Sequence, residues 1–109
     1  MKFEKFQKET HKTAIYPNKG SNYVYPALGL AGEAGEVAEK IKKLIRDNNG
    51  KYSKKEKDAI MIELGDVLWY VAQLCTEFKL DMDKVAEACI KKLESRKKRG
   101  TLRGSGDDR

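Results

Sequence analysis

The stretch Glu63-Leu64-Gly65-Asp66-Val67-Leu68-Trp69-Tyr70 decides how this chain folds. Set on a wheel of about 100° per residue with Glu63 at the origin, Asp66 falls near roughly 300° and Tyr70 near roughly 340°. Ile60, Val67 and Leu74 gather on one side at roughly 20–60°, and Ile62 and Trp69 on the other at roughly 240–260°. The two acids therefore share one helix face between two apolar walls. A helix that is apolar most of the way round is a buried helix. Carboxylates are seldom buried unless they are paired or bind a metal. No lysine or arginine lies between Lys57 and Lys79. The charge that compensates Glu63 and Asp66 must come from another helix or from solution.

Three more segments carry the same periodicity. Ser53-Lys54-Lys55-Glu56 is a capping-box pattern and opens the helix just described, which is expected to run to about Lys79. A first helix is expected over Lys2–Thr13, with Phe3 and Phe6 on one side. A second is expected to begin near Ser21–Pro26 and to reach about Asp47, its Ala34, Val37, Ala38, Ile41, Leu44 and Ile45 following the i, i+3, i+4, i+7 rhythm. Asn48-Asn49-Gly50 supplies its stop, since both residue types tolerate the left-handed conformation that ends helices. A fourth is expected from Asp81 or Asp83 to Arg99, with Gly100 as the stop and Met82, Val85, Ala86, Cys89 and Leu93 as its apolar stripe. No segment alternates with period two, so the fold class is all-α, with four helices.

The second helix carries Glu33 and Glu36, three apart like Glu63 and Asp66 and therefore also on one face. Alone, Glu-x-x-Glu usually marks a solvated surface, and Lys40 is placed for an ordinary exposed i, i+4 pair with Glu36. Gly29, Gly32 and Gly35 interleave with these acids. Each weakens a helix interior by about 1 kcal/mol relative to alanine, and together they suggest close approach by a neighbouring helix or ligand. Two acidic pairs on facing helices would place four carboxylates in one cavity, where they repel unless a cation joins them. A set made only of oxygen ligands favours a hard ion, Mg²⁺ or Mn²⁺. The single histidine, His11, excludes the Glu-x-x-His pattern of di-iron bundles. It reads as a surface helix residue.

Composition agrees with a charged site in a small domain. The chain has 109 residues, of which 37% are charged, and a net charge of +6. Residues 1–109 suit one domain, with 104–109 read as a flexible tail. Residues 91–109 carry eight positive and three negative side chains, hence +5 of that total. A basic end beside acids that need a metal points to phosphate. Lys92 and Arg96, four apart, share a face. No apolar run approaches the roughly 18 residues of a membrane span, the N-terminus lacks the apolar core of a secretory signal, and Cys75 and Cys89 alone make neither a disulfide framework nor a zinc site. The expected compartment is the cytoplasm.

Both acidic pairs occur in recognisable surroundings. Tyr25-Pro26-Ala27-Leu28-Gly29-Leu30-Ala31-Gly32-Glu33-Ala34-Gly35-Glu36-Val37 is followed by Glu63-Leu64-Gly65-Asp66-Val67-Leu68-Trp69-Tyr70, with 26 residues between Glu36 and Glu63. The chain closes on Lys92-Leu93, Arg96, Arg99-Gly100 and Gly104-Ser105-Gly106-Asp107. From about Pro17 onward it resembles the short single-domain members of the MazG-like family of all-α nucleoside triphosphate pyrophosphohydrolases. The resemblance implies a four-helix bundle assembled as a homo-oligomer, dimer or tetramer, and cleavage of an NTP or dNTP between the α and β phosphates. It implies metal binding by Glu33, Glu36, Glu63 and Asp66, with Mg²⁺ or a substituting Mn²⁺. It implies catalytic roles for Glu36 and Glu63, and substrate contacts from Lys40, Tyr70, Lys92 and Arg96. Many relatives carry asparagine where this sequence has Cys89, which removes one polar contact. Two rival readings are a catalytically degenerate member and a basic helical nucleic-acid-binding protein. The second leaves the acids unexplained.

Overall fold

A computed structural model describes all residues, 1–109. The chain forms four helices and no strand: α1 Phe3–His11, α2 Val24–Asn48, α3 Lys54–Glu77 and α4 Met82–Lys98. The stop signals act as their chemistry dictates. Asn49 takes a left-handed φ of 53° after α2, and the Gly50 N–H returns to the Leu44 carbonyl at 3.0 Å. Ser53 and Glu56 form the capping box that opens α3. Asp81 caps α4 by accepting from the Asp83 N–H at 2.9 Å. Gly100 ends it at φ 68°, which lets the Thr101 N–H reach the Arg96 carbonyl at 2.8 Å.

α2 and α3 form a long antiparallel hairpin. α1 packs on the C-terminal half of α3, and α4 packs on α1. The compact core is at that end: Ala72, Cys75 and Met82, with Phe6 and Val71 against them. A polar lattice crosses it. The fully buried Gln73 donates to Thr10 Oγ1 at 2.7 Å. Gln7 donates to Thr76 and to the Leu80 carbonyl and accepts from the Met82 N–H at 3.0 Å, tying α1 to the α3–α4 turn.

The hairpin's outer face is open. Met61, Leu64 and Leu68, at helical spacing on α3, are exposed, as are Leu28, Ile41 and Ile45 on α2. Only 10 of 109 residues are buried. The chain exposes 8402 Å², against roughly 6,100 Å² for a compact protein of this mass. Its radius of gyration is 16.8 Å, against about 13 Å for a closed domain of this length.

Three expectations need correction. α3 is long and apolar enough, by length and composition alone, to cross a membrane. The interleaved acids hide this from a search for an unbroken apolar run, and two carboxylates near the middle are what a spanning helix avoids. His11 is half-buried, with Nδ1 lacking a hydrogen-bond partner. Residues 104–109 do not trail away. Arg99 donates to the Arg109 carbonyl at 2.8 Å, and Arg109 donates in turn to the carbonyls of Thr101, Leu102 and Gly106.

Candidate metal centre

Antiparallel pairing of α2 with α3 brings Glu33 opposite Glu63 and Asp66. One carboxylate oxygen from each lies within 4.8 Å of the other two. Glu33 and Glu63 are half-buried, and Asp66 is exposed at the mouth. The cost of bringing the three together shows in Glu33. Burial first, then the charges of Asp66, Glu63 and Glu36, hold its carboxyl above the ordinary value of 4.5. Three oxygen ligands this close, destabilised by one another, could hold a hard divalent cation.

One side chain offsets part of that charge. Lys40 Nζ lies 3.6 Å from Glu63 Oε1. This corrects the local pairing expected with Glu36: the lysine crosses to α3 and supplies the cation that α3 lacks beyond Lys57. Glu36 stays exposed, one turn beyond Glu33 and outside the three-oxygen set.

Tyr70 borders the carboxylates. Its phenol is raised above its ordinary value by burial, then by Tyr25, Glu33 and Asp66. Its ring lies directly on α2 at Gly29, where a Cβ would come within 2.5 Å of three ring carbons. The glycine run therefore divides. Gly29 admits Tyr70, while Gly32 and Gly35 face open space, with nothing within 4 Å of the position a Cβ would take. Trp69 meets Tyr70 edge-on, with centroids 4.9 Å apart, and donates to Thr13 Oγ1 at 2.9 Å, so it belongs to the α1–α3 seam.

The basic end is not gathered at the carboxylates within one chain. Lys92 is exposed on α4. Arg96 is buried, donating to the Asp107 carbonyl at 2.5 Å, and so holds the returning C-terminal segment. Cys89 is an exposed free thiol on the same helix.

One contributor was missed from sequence. Glu77, at the last turn of α3, accepts from the Tyr16 hydroxyl at 2.8 Å, from the Gly20 N–H at 2.9 Å and from the Asn22 N–H at 3.5 Å. Burial pushes its carboxyl up, but these donors and the nearby His11 bring it to a net value below the ordinary range. A lone glutamate at a helix end carries no periodic signal that could have marked it.

Comparison with known proteins agrees with this geometry. Residues 26–101 match the MazG nucleotide pyrophosphohydrolase domain, a span that includes all four acidic motif residues. The chain is 43% identical over 109 aligned residues to the Gene 37 protein of Mycobacterium phage L5, covering 95% of this chain and 96% of that one. No solved structure matches it significantly.

Proposed function

The chain belongs to the MazG nucleotide pyrophosphohydrolase family, and on that premise we propose that it is a Mg²⁺-dependent nucleoside triphosphate pyrophosphohydrolase. It converts an NTP or dNTP and water to the monophosphate and pyrophosphate. The observation that carries this reading is the approach of Glu33, Glu63 and Asp66 to within 4.8 Å with a single lysine beside them. Three carboxylates and one ammonium leave net negative charge in a half-buried place, which suits a divalent cation that in turn attracts polyphosphate.

Glu33, Glu63 and Asp66 would hold the metal, with Glu36 as a further ligand or as the base. A bound Mg²⁺ would neutralise charge developing on the phosphates and lower the pKa of nearby water. The remaining steps fall to the chain itself. Lys40, released from Glu63 when the cation binds, presents a point charge to a phosphate oxygen. A water attacks the α phosphorus, the bond from that phosphorus to the bridging oxygen breaks, and pyrophosphate departs. Glu36, free of the three-oxygen set, is the group assigned to take the water's proton. Tyr70 contacts the nucleoside side of the substrate.

Lys92, exposed on α4, completes the phosphate grip from a second copy of the chain, while Arg96 stays with the Asp107 carbonyl and shapes that end of α4. The exposed stripe Met61–Leu64–Leu68 and the excess surface support a homo-oligomer, with the dimer as the minimum. Residues 1–109 then act as one domain within that assembly, in the cytoplasm where nucleotides are found.

Product analysis tests the reaction. Purified protein is incubated with each common NTP and dNTP, with and without Mg²⁺, and pyrophosphate is separated from orthophosphate. Metal-dependent pyrophosphate plus monophosphate, lost in Glu63→Ala, is the expected result. Orthophosphate as the first product, or turnover that survives the substitution, would refute it.

A further inference from the structure

Glu77 stands three helical turns from Asp66 and touches none of the metal-centre carboxylates, yet a continuous line of contacts joins it to them. Its carboxylate collects three donors from one short segment: the Tyr16 hydroxyl, the Gly20 N–H and the Asn22 N–H. Gly20 turns at φ 95°, a conformation open to glycine, so its N–H can face the carboxylate. Asn22 carries the order onward. Its amide donates to the Pro17 carbonyl at 2.7 Å, and its Oδ1 accepts from the Tyr25 N–H at 3.1 Å, satisfying a free donor of the first turn of α2. Tyr25 stacks on Tyr16 with centroids 5.0 Å apart and planes 5° from parallel. Tyr16 is buried, while Tyr25 is 43% exposed, so Tyr16 backs a ring that still presents surface to solvent. Tyr25 lies one helical turn before Gly29, where the Tyr70 ring packs on α2, and Tyr70 lies one turn after Asp66.

We propose that Glu77 is a positioning residue for nucleoside recognition, latching the Tyr16–Tyr25 segment so that Tyr25 and Tyr70 form one wall beside the carboxylates. This rests on the pyrophosphohydrolase reading above and deepens it. The metal centre holds the phosphates and is built on α2 and α3 without help from the latch. The nucleoside wall depends on a loop whose backbone amides have Glu77 as their acceptor. A wall fixed by a charged, multiply hydrogen-bonded latch binds without first ordering its own loop.

The test separates the two ends of the substrate. Calorimetric titration with Mg²⁺ present compares the full-length protein with Glu77→Gln and Tyr16→Phe, using nucleoside monophosphates in one series and inorganic pyrophosphate in the other. The expected result for Glu77→Gln is about tenfold weaker binding of the monophosphate, with pyrophosphate affinity unchanged. KM for the triphosphate should rise while kcat holds. Tyr16→Phe, which removes one donor of three, should move in the same direction by less and covers the case in which Glu77→Gln does not fold. Equal loss of both ligands would mean that Glu77 serves the fold alone, and no loss of either would mean that the latch is irrelevant. Both overturn the proposal. An intact protein that turns over no nucleoside triphosphate in the KM measurement would overturn the pyrophosphohydrolase reading itself, and the latch with it.

Discussion

The ring of Tyr70 lies flat against the backbone of α2 at Gly29, closer than any side chain at that position would allow. This contact sets how near α3 comes to α2 at the metal centre, because Asp66 is one turn before Tyr70 and Glu33 one turn after Gly29. Gly29→Ala would add a methyl that overlaps the Tyr70 ring, which forces the ring or the helix to move. Overpacking of this kind destabilises by about 1–3 kcal/mol, partly offset by about 1 kcal/mol of helix propensity. Gly32→Ala, at an open position, should be neutral or stabilising by up to about 1 kcal/mol. Urea unfolding of the two variants side by side checks this, and the expectation fails if Gly29→Ala is the more stable.

The raised Glu33 carboxyl sets a pH dependence for the metal-free protein. A group whose folded pKa lies above its unfolded value holds more protons in the native state, so its contribution to stability is present at low pH. That contribution is lost as pH rises through the folded value. Subtracting the stability curve of Glu33→Gln from that of the parent should therefore leave a difference that declines as pH climbs from the ordinary value of 4.5 through the raised one. Millimolar Mg²⁺ should abolish the decline. A flat difference curve in chelator would remove the like-charge account of this cluster.

Glu77 has the opposite sign. Its folded value lies below the ordinary one, so its stabilising effect is present above the unfolded pKa and fades as pH falls through the folded pKa. Glu77→Gln should cost about 1–3 kcal/mol near neutral pH, the range for hydrogen bonds to a charged group. It should cost little at pH values below the carboxylate range. Thermal unfolding of both proteins across pH measures the difference, and a cost independent of pH would contradict the charged-acceptor description.

Lys40 competes with a cation for Glu63. Replacing it with methionine should lower the Mg²⁺ concentration needed for half-saturation several-fold, because the ammonium no longer has to be displaced. The same change should lower kcat/KM by about tenfold or more through loss of a phosphate contact. Metal titration monitored by calorimetry and by turnover separates the two effects. Weaker Mg²⁺ binding in Lys40→Met would show that the lysine supports the site rather than competing for it.

How much of this was legible in the sequence follows the range of the forces involved. Helix limits near Asn49-Gly50, Ser53–Glu56 and Gly100 were readable because caps and left-handed stops act over a few residues. The approach of Glu33 to Glu63 and Asp66 was readable from two matched spacings. What escaped was the choice among partners that local rules leave equivalent. Lys40 is four residues from Glu36 yet pairs with Glu63 on another helix. Gly29, Gly32 and Gly35 look alike in sequence, and only Gly29 meets a ring. Gln7, Gln73 and Glu77 lie in no motif, and their partners sit 55 to 75 residues away in sequence. Arg96 was expected among the substrate contacts, whereas within one chain its guanidinium holds the Asp107 carbonyl.

The open outer face of the hairpin yields the last prediction. Met61, Leu64 and Leu68 form an exposed stripe with spacings of three and four residues, the pattern by which one helix meets another. The chain exposes over 2,000 Å² more than the roughly 6,100 Å² of a compact protein of its mass. A surplus of roughly that size is what obligate homodimers bury. Light scattering after size-exclusion chromatography at micromolar concentration should give at least twice 12.4 kDa. Met61→Lys should shift that mass toward the single chain while leaving helix content near the parent's, since Met61 is 64% exposed in its own chain. Turnover should fall with dissociation and recover as protein concentration rises, because Lys92 then returns to the phosphates held at a neighbour's site. A parent protein that runs as a single chain, yet turns over nucleotide at a rate per chain independent of concentration, would sink the shared site.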